Sequence, residues 1–566
     1  MATPRIGAFI CHCGTNIGGI VNVPEVVEYA KGLPYVAHAE ANLYTCSEEG
    51  ISSIKRAIKE YDLNRVVVAS CTPRTHQPLF RSACAEAGLN PYLFEFVNIR
   101  EHCSWIHREH HQEATEKAKE LVKMGVAKAR WLEPQEEFES DIYPAGMVIG
   151  GGIAGMSAAL SIASQGFEVH LIEKEPGLGG RLLRLNRIFT IDKDPRELVE
   201  NMVKAVRNHS RITLHMPAVV KAASGYIGNF DVSVAEDGHE TSFKVGVIIV
   251  ATGAQVLKPD LYRYGKLTNV LTQLDLEEQL KEDRLGKFQN VVMINCAGAR
   301  IPERPYCSRV CCMTAIKNAA LMKEINPQAR VYVLYRDLMT YGVEFEQYYR
   351  DAKEAGVRFI RYTPDALPEV SGRERVELVK VYDELMDMEI ELPCDLLVLA
   401  TPLIPNDDNE ELARMLKAST GDGGFFLEAH VKLRPVEFAM DGVYVAGTCR
   451  WPADIRESIA QGYAAASEAM IPLRQGLVKV EAITAVVDPR ICKGCGTCTL
   501  VCPFEAAELK ICEIRGLEGK TVSEVNTALC KGCGLCAGAC PNGAIQQRGF
   551  TDLELMSMVN ALSGKR

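Results

Sequence analysis

Long apolar runs are missing from this 566-residue sequence. The longest, such as Val245–Ala251 and Leu396–Ala400, are only strand length, far short of the ~20 residues that cross a bilayer as a helix. A basic surplus is missing too: Lys and Arg total 63 against 73 Asp and Glu, a net charge of −10, which argues against nucleic acid or an anionic membrane as the main partner. The opening MATPRIGAF has no signal-peptide pattern, so a reducing cytoplasmic location without a membrane span is expected. No Ser/His/Asp set and no paired carboxylates are legible, and residues 176–286 contain no Cys at all. The rest of the chain nevertheless holds 21 Cys, and the chemistry gathers where they cluster.

Near the C-terminus one signature occurs twice: Cys492-x2-Cys495-x2-Cys498-x3-Cys502-Pro503 and Cys530-x2-Cys533-x2-Cys536-x3-Cys540-Pro541. This is the bacterial ferredoxin run, in which three thiolates hold one [4Fe–4S] cluster and the fourth crosses to the other. The expected ligand sets are Cys492, Cys495, Cys498 with Cys540, and Cys530, Cys533, Cys536 with Cys502. Structural zinc would need only two Cys-x2-Cys pairs and explains neither the third Cys of each run nor the proline.

A dinucleotide fingerprint follows Tyr143-Pro144: an apolar strand, a glycine turn, a helix and a second strand ending at Glu173. Gly150 permits the tight turn, Gly152 the approach of a pyrophosphate and Gly155 close helix–strand packing, while Glu173 stands where an acid binds the ribose. Gly179-Gly180-Arg181, the strand end Ala251-Thr252-Gly253, and Gly447 before a late helix resemble FAD landmarks of thioredoxin-reductase-like flavoproteins. Thr448 departs from the Asp found in many of them. Such proteins carry a second dinucleotide unit, and residues 287–401 read as that insertion. Its first strand, however, runs into Cys296-Ala297-Gly298-Ala299-Arg300 and then Cys307-x3-Cys311-Cys312. Without the second and third glycines the turn cannot take a pyrophosphate against its backbone. The four cysteines there are either cluster ligands or simply buried, as Cys often is.

Residues 1–133 alternate strand and helix patterns, with RIGAFIC, VAHAEANLY, RVVVASC and PYLFEFV as strands, and predict a small parallel α/β unit. Cys11 and Cys13, Cys46 and Cys71 fall at the ends of successive strands, at the edge where such folds place their sites. They are candidate ligands that could converge there on one metal site, with Cys103 competing and Cys84 assigned to packing. His102, His107, His110 and His111 are read as opening a long helix, with His107 and His111 able to share a face.

Taken together, the doubled ferredoxin run, the FAD landmarks, the Cys-substituted turn and the segments FICHCGTNIGGIVNV and VVVASCTPRTH resemble the HdrA-like family, the flavin-bearing iron–sulfur subunits of heterodisulfide reductase, over nearly the whole chain. The resemblance implies an α/β thioredoxin-reductase-like two-dinucleotide flavoprotein core. It is flanked by an N-terminal α/β iron–sulfur domain (1–133) and a linker (134–144). The FAD domain (145–286 and 402–478) is split by a cluster-bearing insertion (287–401), and a 2[4Fe–4S] ferredoxin domain (479–550) and a C-terminal helix (551–566) follow. It also implies FAD and [4Fe–4S] clusters as cofactors, with Cys296, Cys307, Cys311 and Cys312 holding a flavin-proximal cluster and the N-terminal site of Cys11, Cys13, Cys46 and Cys71 a further one. Lys317, which by itself reads as a solvated helix lysine, is then placed near the flavin N5.

The function so implied is that of an iron–sulfur flavoprotein that moves electrons between flavin and clusters in a multisubunit oxidoreductase, of heterodisulfide reductase or benzoyl-CoA reductase type, with electron bifurcation as a further expectation. Implied partners are HdrB/HdrC-like subunits, hydrogenase- or formate-dehydrogenase-type donors and ferredoxin, around a homodimeric core. Longer relatives insert another ferredoxin domain before the 287–401 segment, and its lack here removes one electron exit. The competing readings are a stand-alone NAD(P)H:ferredoxin oxidoreductase, which needs the missing nicotinamide turn, and an assembly subunit with mainly structural clusters.

Overall fold

The computed structural model describes residues 3–564, so the first two residues of the expected N-terminal domain and the last two of the C-terminal helix lie outside the described residues. The chain divides into two compact units. One joins the N-terminal residues to Glu139 with those from Lys479 onward, and the other is Ser140–Val478.

The first unit is built on a four-stranded parallel sheet in the order Val36–Asn42, Ile6–Cys11, Arg65–Ser70, Phe94–Asn98. Its two central strands are buried along their whole length, as expected for strands covered by helices on both faces. Ser47 caps the helix Glu48–Glu60 by accepting from Gly50 N, and Asn22 caps Val23–Lys31 by accepting from Glu25 N. The long helix starts later than the sequence pattern predicts. Asn98 Oδ1 takes the amide hydrogens of Arg100 and Glu101 at 3.1 and 3.0 Å, which bends the chain into a separate wide turn, and the helix runs His111–Ala129. His102, His107 and His110 therefore precede it, and His107 and His111 do not share a helical face.

The ferredoxin-like segment packs onto this α/β layer. It has two antiparallel strand pairs, Ala485–Val487 with Ile545–Gln547 and Ala507–Ile511 with Thr521–Val525, and two short helices. The buried Lys128 ion-pairs with Glu95 at 2.8 Å and lies 3.9 Å over the Phe550 ring. Ala482 N donates to Tyr92 Oη at 3.3 Å, and Arg81 pairs with Glu481 at 3.0 Å. The final helix, Asp552–Ser563, starts at a Thr551/Glu554 capping box and packs on His111–Ala129.

The second unit holds two parallel five-stranded sheets. One has the order Val443–Val445, Val247–Val250, Ala145–Ile149, Glu168–Ile172, Ile212–His215, and the other Val270–Thr272, Leu396–Leu399, Asn290–Ile294, Arg330–Tyr335, Arg358–Arg361. Each carries a three-stranded antiparallel sheet in a crossover. In both, the first strand in sequence of a βαβ unit lies in the sheet centre, so its C-terminal turn opens at the edge where ligands bind in such folds.

Candidate functional site

The two ferredoxin runs fold around two cavities. One, with about 320 Å³ of atom-free space, is lined by Cys492, Cys495, Cys498 and Cys540; the other, about 340 Å³, by Cys530, Cys533, Cys536 and Cys502. The fourth Cys of each run thus stands with the first three of the other, because the strand before the first run pairs with the strand after the second, and the strand after the first with the strand before the second. Backbone amides point at the sulfurs: Gly494 N and Ser523 N at Cys492 Sγ (both 3.4 Å), Ala544 N at Cys540 Sγ (3.3 Å), Ala506 N at Cys502 Sγ (3.3 Å) and Ala485 N at Cys530 Sγ (3.4 Å). Such N–H donors favour thiolates and set cluster potentials. Burial raises the Cys536 thiol to about 11, helped by the fields of Cys530, Cys502 and Cys533. Among the described residues no three His, Cys, Asp or Glu side chains converge closely enough to hold a single metal ion; here the cysteines surround a volume. Cys495 and Cys533 are exposed, which gives each cavity a solvent-facing side.

The glycine turn of the flavin half fits a dinucleotide. Gly150 has φ +110°, and a side chain there would collide with Ala251 O; one at Gly155 would overlap Gly150 O. Gly152 faces open space, with no atom within 4 Å of where a Cβ would stand, so backbone and phosphate can meet. Glu173 is buried and takes the amide hydrogens of Gly151 (2.6 Å) and Glu175 (2.8 Å), which fixes its carboxylate at the mouth of a cavity of about 900 Å³ lined also by Gly150, Lys174, Ala218 and Thr252. Thr252 Oγ1 is buried without a partner, as a hydroxyl awaiting a ligand would be. Gly179 and Gly180 both take positive φ, and Arg181 donates to Ala254 O at 3.2 Å. Gly447 takes φ +77° ahead of the helix Ile455–Gln475, its amide donating to Gln461 Oε1 at 2.9 Å.

In the insertion the second turn has become a cysteine nest. Cys296 leaves the strand Asn290–Ile294 at φ +58°, a left-handed conformation uncommon outside glycine and asparagine. Cys311 and Cys312 open the helix Cys311–Ile325, whose amino end favours thiolates. Cys307 joins them, and the four thiols lie in one another's fields. Burial, then Cys312 and Cys307, raise Cys296 to about 11, with Arg300 and Arg336 opposing. Cys312 shares a hydrogen bond with Cys311 that holds Cys312 low and Cys311 high. Arg309 clamps the loop to the late flavin segment: its guanidinium reaches Glu457 at 2.5 Å, Pro452 O at 3.4 Å and Tyr341 Oη at 3.2 Å, while its amide donates to Cys307 Sγ at 3.3 Å. Glu457 belongs to the capping box of Ile455–Gln475, so the nest is tied to the helix that follows Gly447.

Lys317, one and a half turns into the insertion's helix, is 2% exposed and not solvated. It is ion-paired with Glu277, 0% exposed, and donates to Arg187 O at 2.8 Å; Glu277 also accepts from Asn186 N at 2.8 Å. Burial lowers the Lys317 pKa and Glu277 opposes that shift. The pair joins the insertion to the first flavin segment.

In the N-terminal sheet, Cys11, Cys13, Cys46 and Cys71 converge at the carboxyl edge. Burial raises the last three, each further raised by Cys11, while Arg100 lowers Cys13 and Cys71. Cys103 stands apart, its thiol donating to Ala114 O at 3.0 Å and raised to about 11 by burial. Cys84 and Cys394, each raised to about 12 by burial, Cys449 and Cys512 are buried within the packing. Sequence reasoning missed Glu277, Arg309, Arg100 and Arg336, which lie in no motif; only the position of Arg336, just after the second strand of a dinucleotide unit, carried a signal.

Fold and turn chemistry define a flavin-dependent oxidoreductase of the two-dinucleotide class. Residues 145–469 match the pyridine nucleotide-disulphide oxidoreductase family, and 485–508 and 523–546 match the 4Fe-4S binding domain. The chain is 39% identical to an HdrA-type iron–sulfur subunit of the CoB–CoM heterodisulfide reductase of Methanopyrus kandleri, over 99% of this chain and 97% of that protein. It is 38% identical to the corresponding subunit of the H(2):CoB-CoM heterodisulfide,ferredoxin reductase of Methanothermobacter marburgensis, over 99% and 98%. Thioredoxin reductase of Lactococcus lactis shares 18% identity, covering 58% of this chain and 99% of that one, with a TM-score of 0.41. The chain belongs to the HdrA family of heterodisulfide reductase subunits: it is an oxidoreductase that carries FAD and [4Fe–4S] clusters and transfers electrons between them. No helix among the described residues is long and apolar enough to cross a membrane.

Proposed function

We propose that the chain is the flavin-bearing electron hub of a heterodisulfide-reducing complex, with one FAD and four [4Fe–4S] clusters. The clusters are held by Cys11/13/46/71, Cys296/307/311/312, Cys492/495/498/540 and Cys530/533/536/502. The observation that carries this reading is the cysteine nest in place of a nicotinamide turn, tied through Arg309 to the late flavin segment. FAD converts paired electrons into single ones, which clusters accept. The glycine turn and Glu173 position the dinucleotide, and Arg309 holds the nest against the helix that follows Gly447. Lys317 with Glu277 places a buried ion pair at the junction, and the exposed faces of Cys495 and Cys533 present the ferredoxin sites to a partner. Relatives named for heterodisulfide and ferredoxin reduction support partner subunits of that chemistry.

Anaerobic purification with iron, flavin and co-purifying subunits counted tests this. About sixteen irons per FAD are expected, with NADPH failing to bleach the flavin. Cys311→Ala is expected to remove about four irons, retain FAD and stop flavin reoxidation by the partner complex. About eight irons in the parent protein, or rapid bleaching by NADPH, refutes the reading.

A further inference from the structure

Two strands end side by side at the cysteine nest. Ile294 pairs with Leu334 in parallel register, so two residues further along each chain Cys296 and Arg336 leave the sheet together. Arg336 is 7% exposed. Its Nη1 donates to Arg300 O at 3.0 Å, its guanidinium lies 5.7 Å from the Tyr362 ring centre, and Tyr362 Oη donates to Asn295 O at 2.6 Å, beside Cys296. Arg336 Nε is buried with no partner.

The neighbouring arginines are neutralised: Arg300 pairs with Asp337 at 2.8 Å, and Arg361 with Glu384 at 3.4 Å. No carboxylate lies within ion-pair distance of Arg336 among the described residues. A buried cation without a counter-ion is strongly disfavoured, and a guanidinium, unlike an ammonium, cannot escape by losing its proton. The nest is where that anion would stand, because Cys296 and Arg336 leave adjacent parallel strands side by side.

We propose that Arg336 is a positioning residue for electron transfer: it is the fixed counter-ion of the cluster held by Cys296, Cys307, Cys311 and Cys312, and it keeps that cluster's reduction potential high enough to accept electrons from the flavin. This rests on the reading that those cysteines bind a [4Fe–4S] cluster. Each reduction of the cluster takes one electron from the reduced flavin, forms or breaks no bond, and adds one negative charge beside the guanidinium. A nearby cation in a water-poor site stabilises the reduced form more than the oxidised one.

The test is a potentiometric titration of the anaerobically purified holoprotein, followed by electron paramagnetic resonance, for the parent, Arg336→Gln and Arg336→Lys at neutral pH. Arg336→Gln is expected to lower the midpoint of this cluster by a tenfold change in its one-electron equilibrium, about 59 mV, with the ferredoxin clusters unmoved. Arg336→Lys keeps the parent midpoint. An unmoved midpoint in Arg336→Gln with iron retained overturns the proposal, as does a fall in Arg336→Lys equal to that in Arg336→Gln. If Arg336→Gln loses this cluster's iron, Arg336→Lys decides: the cluster retained at the parent potential supports the charge role, and its loss overturns it. Failure of the underlying cluster assignment is distinguishable, because Cys311→Ala would then leave both iron content and spectrum unchanged.

Discussion

The Lys317–Glu277 pair offers a sharp perturbation, because both side chains are removed from solvent, at 2% and 0% exposed. Removing one partner of such a pair leaves an uncompensated buried charge and costs about 3–5 kcal/mol. Lys317→Met would leave the Glu277 carboxylate with only Asn186 N as donor, and Glu277→Gln would leave the ammonium with Arg187 O and an amide oxygen. Replacing both removes both charges, so the double variant should be far less destabilised than the sum of the singles, with a coupling of about 2 kcal/mol or more. Urea denaturation of the flavin unit, read by flavin release and circular dichroism, measures all four corners of the cycle.

The pH dependence has a definite sign. Burial lowers the Lys317 pKa below the usual lysine range, and losing Glu277, which opposes that shift, lowers it further. The unfolded chain then binds the proton the folded form has given up, so the deficit of Glu277→Gln shrinks as pH rises toward the ordinary lysine value of about 10.4. Singles that add to the double within ~0.5 kcal/mol would refute a desolvated, coupled pair. If Lys317→Met with Glu277→Gln also restores stability but shifts the flavin potential, the pair's charge acts on the flavin as well as on packing.

Two other outcomes follow from the same geometry. Gly155→Ala would drive a methyl group into Gly150 O, so the protein should purify without visible flavin absorbance while keeping its ferredoxin iron; retained FAD at parent stoichiometry would contradict the turn assignment. His170, lowered to about 4 by burial and then by His215, with Glu168 opposing, is neutral in the folded protein. The unfolded chain binds its proton first as pH falls, so up to ~3 kcal/mol of stability is lost between about pH 6.5 and 4. His170→Phe, which keeps the stack on Phe243, should flatten that acid limb in thermal melts, and an unchanged limb would show that other groups set it.

Much of the site is legible in the sequence because the chemistry imposes local spacing. The three- and four-residue intervals of Cys492–Cys502 and Cys530–Cys540, and the glycines at 150, 152 and 155, must stand close in sequence to form a tight loop, so they read directly as motifs. The positions of Cys11 and Cys71 at strand ends, and of Cys46 in the turn that follows the Val36–Asn42 strand, are also visible, because a parallel sheet collects successive strand ends at one edge. Lys317 reads wrongly as a solvated residue on its own helix, since its burial depends on Glu277 and Arg187 from distant segments. The helix start at His111 is missed because a side chain, Asn98, takes the amides that would have continued the turn.

By itself, then, the sequence determined the class of chemistry: a dinucleotide site from a glycine turn with its acid, FAD from landmark segments shared with flavoproteins, and clusters from cysteine spacing. Tertiary structure alone decided which distant groups share a site. It crossed Cys540 to the first ferredoxin cavity and Cys502 to the second, and packed the C-terminal helix on the N-terminal layer. It left Cys103 outside the nest of Cys11 and set Arg336 beside Cys296 without a carboxylate. Spacing along the chain encodes only contacts that the backbone makes locally; long-range pairing is fixed by how sheets and helices bury their apolar faces together.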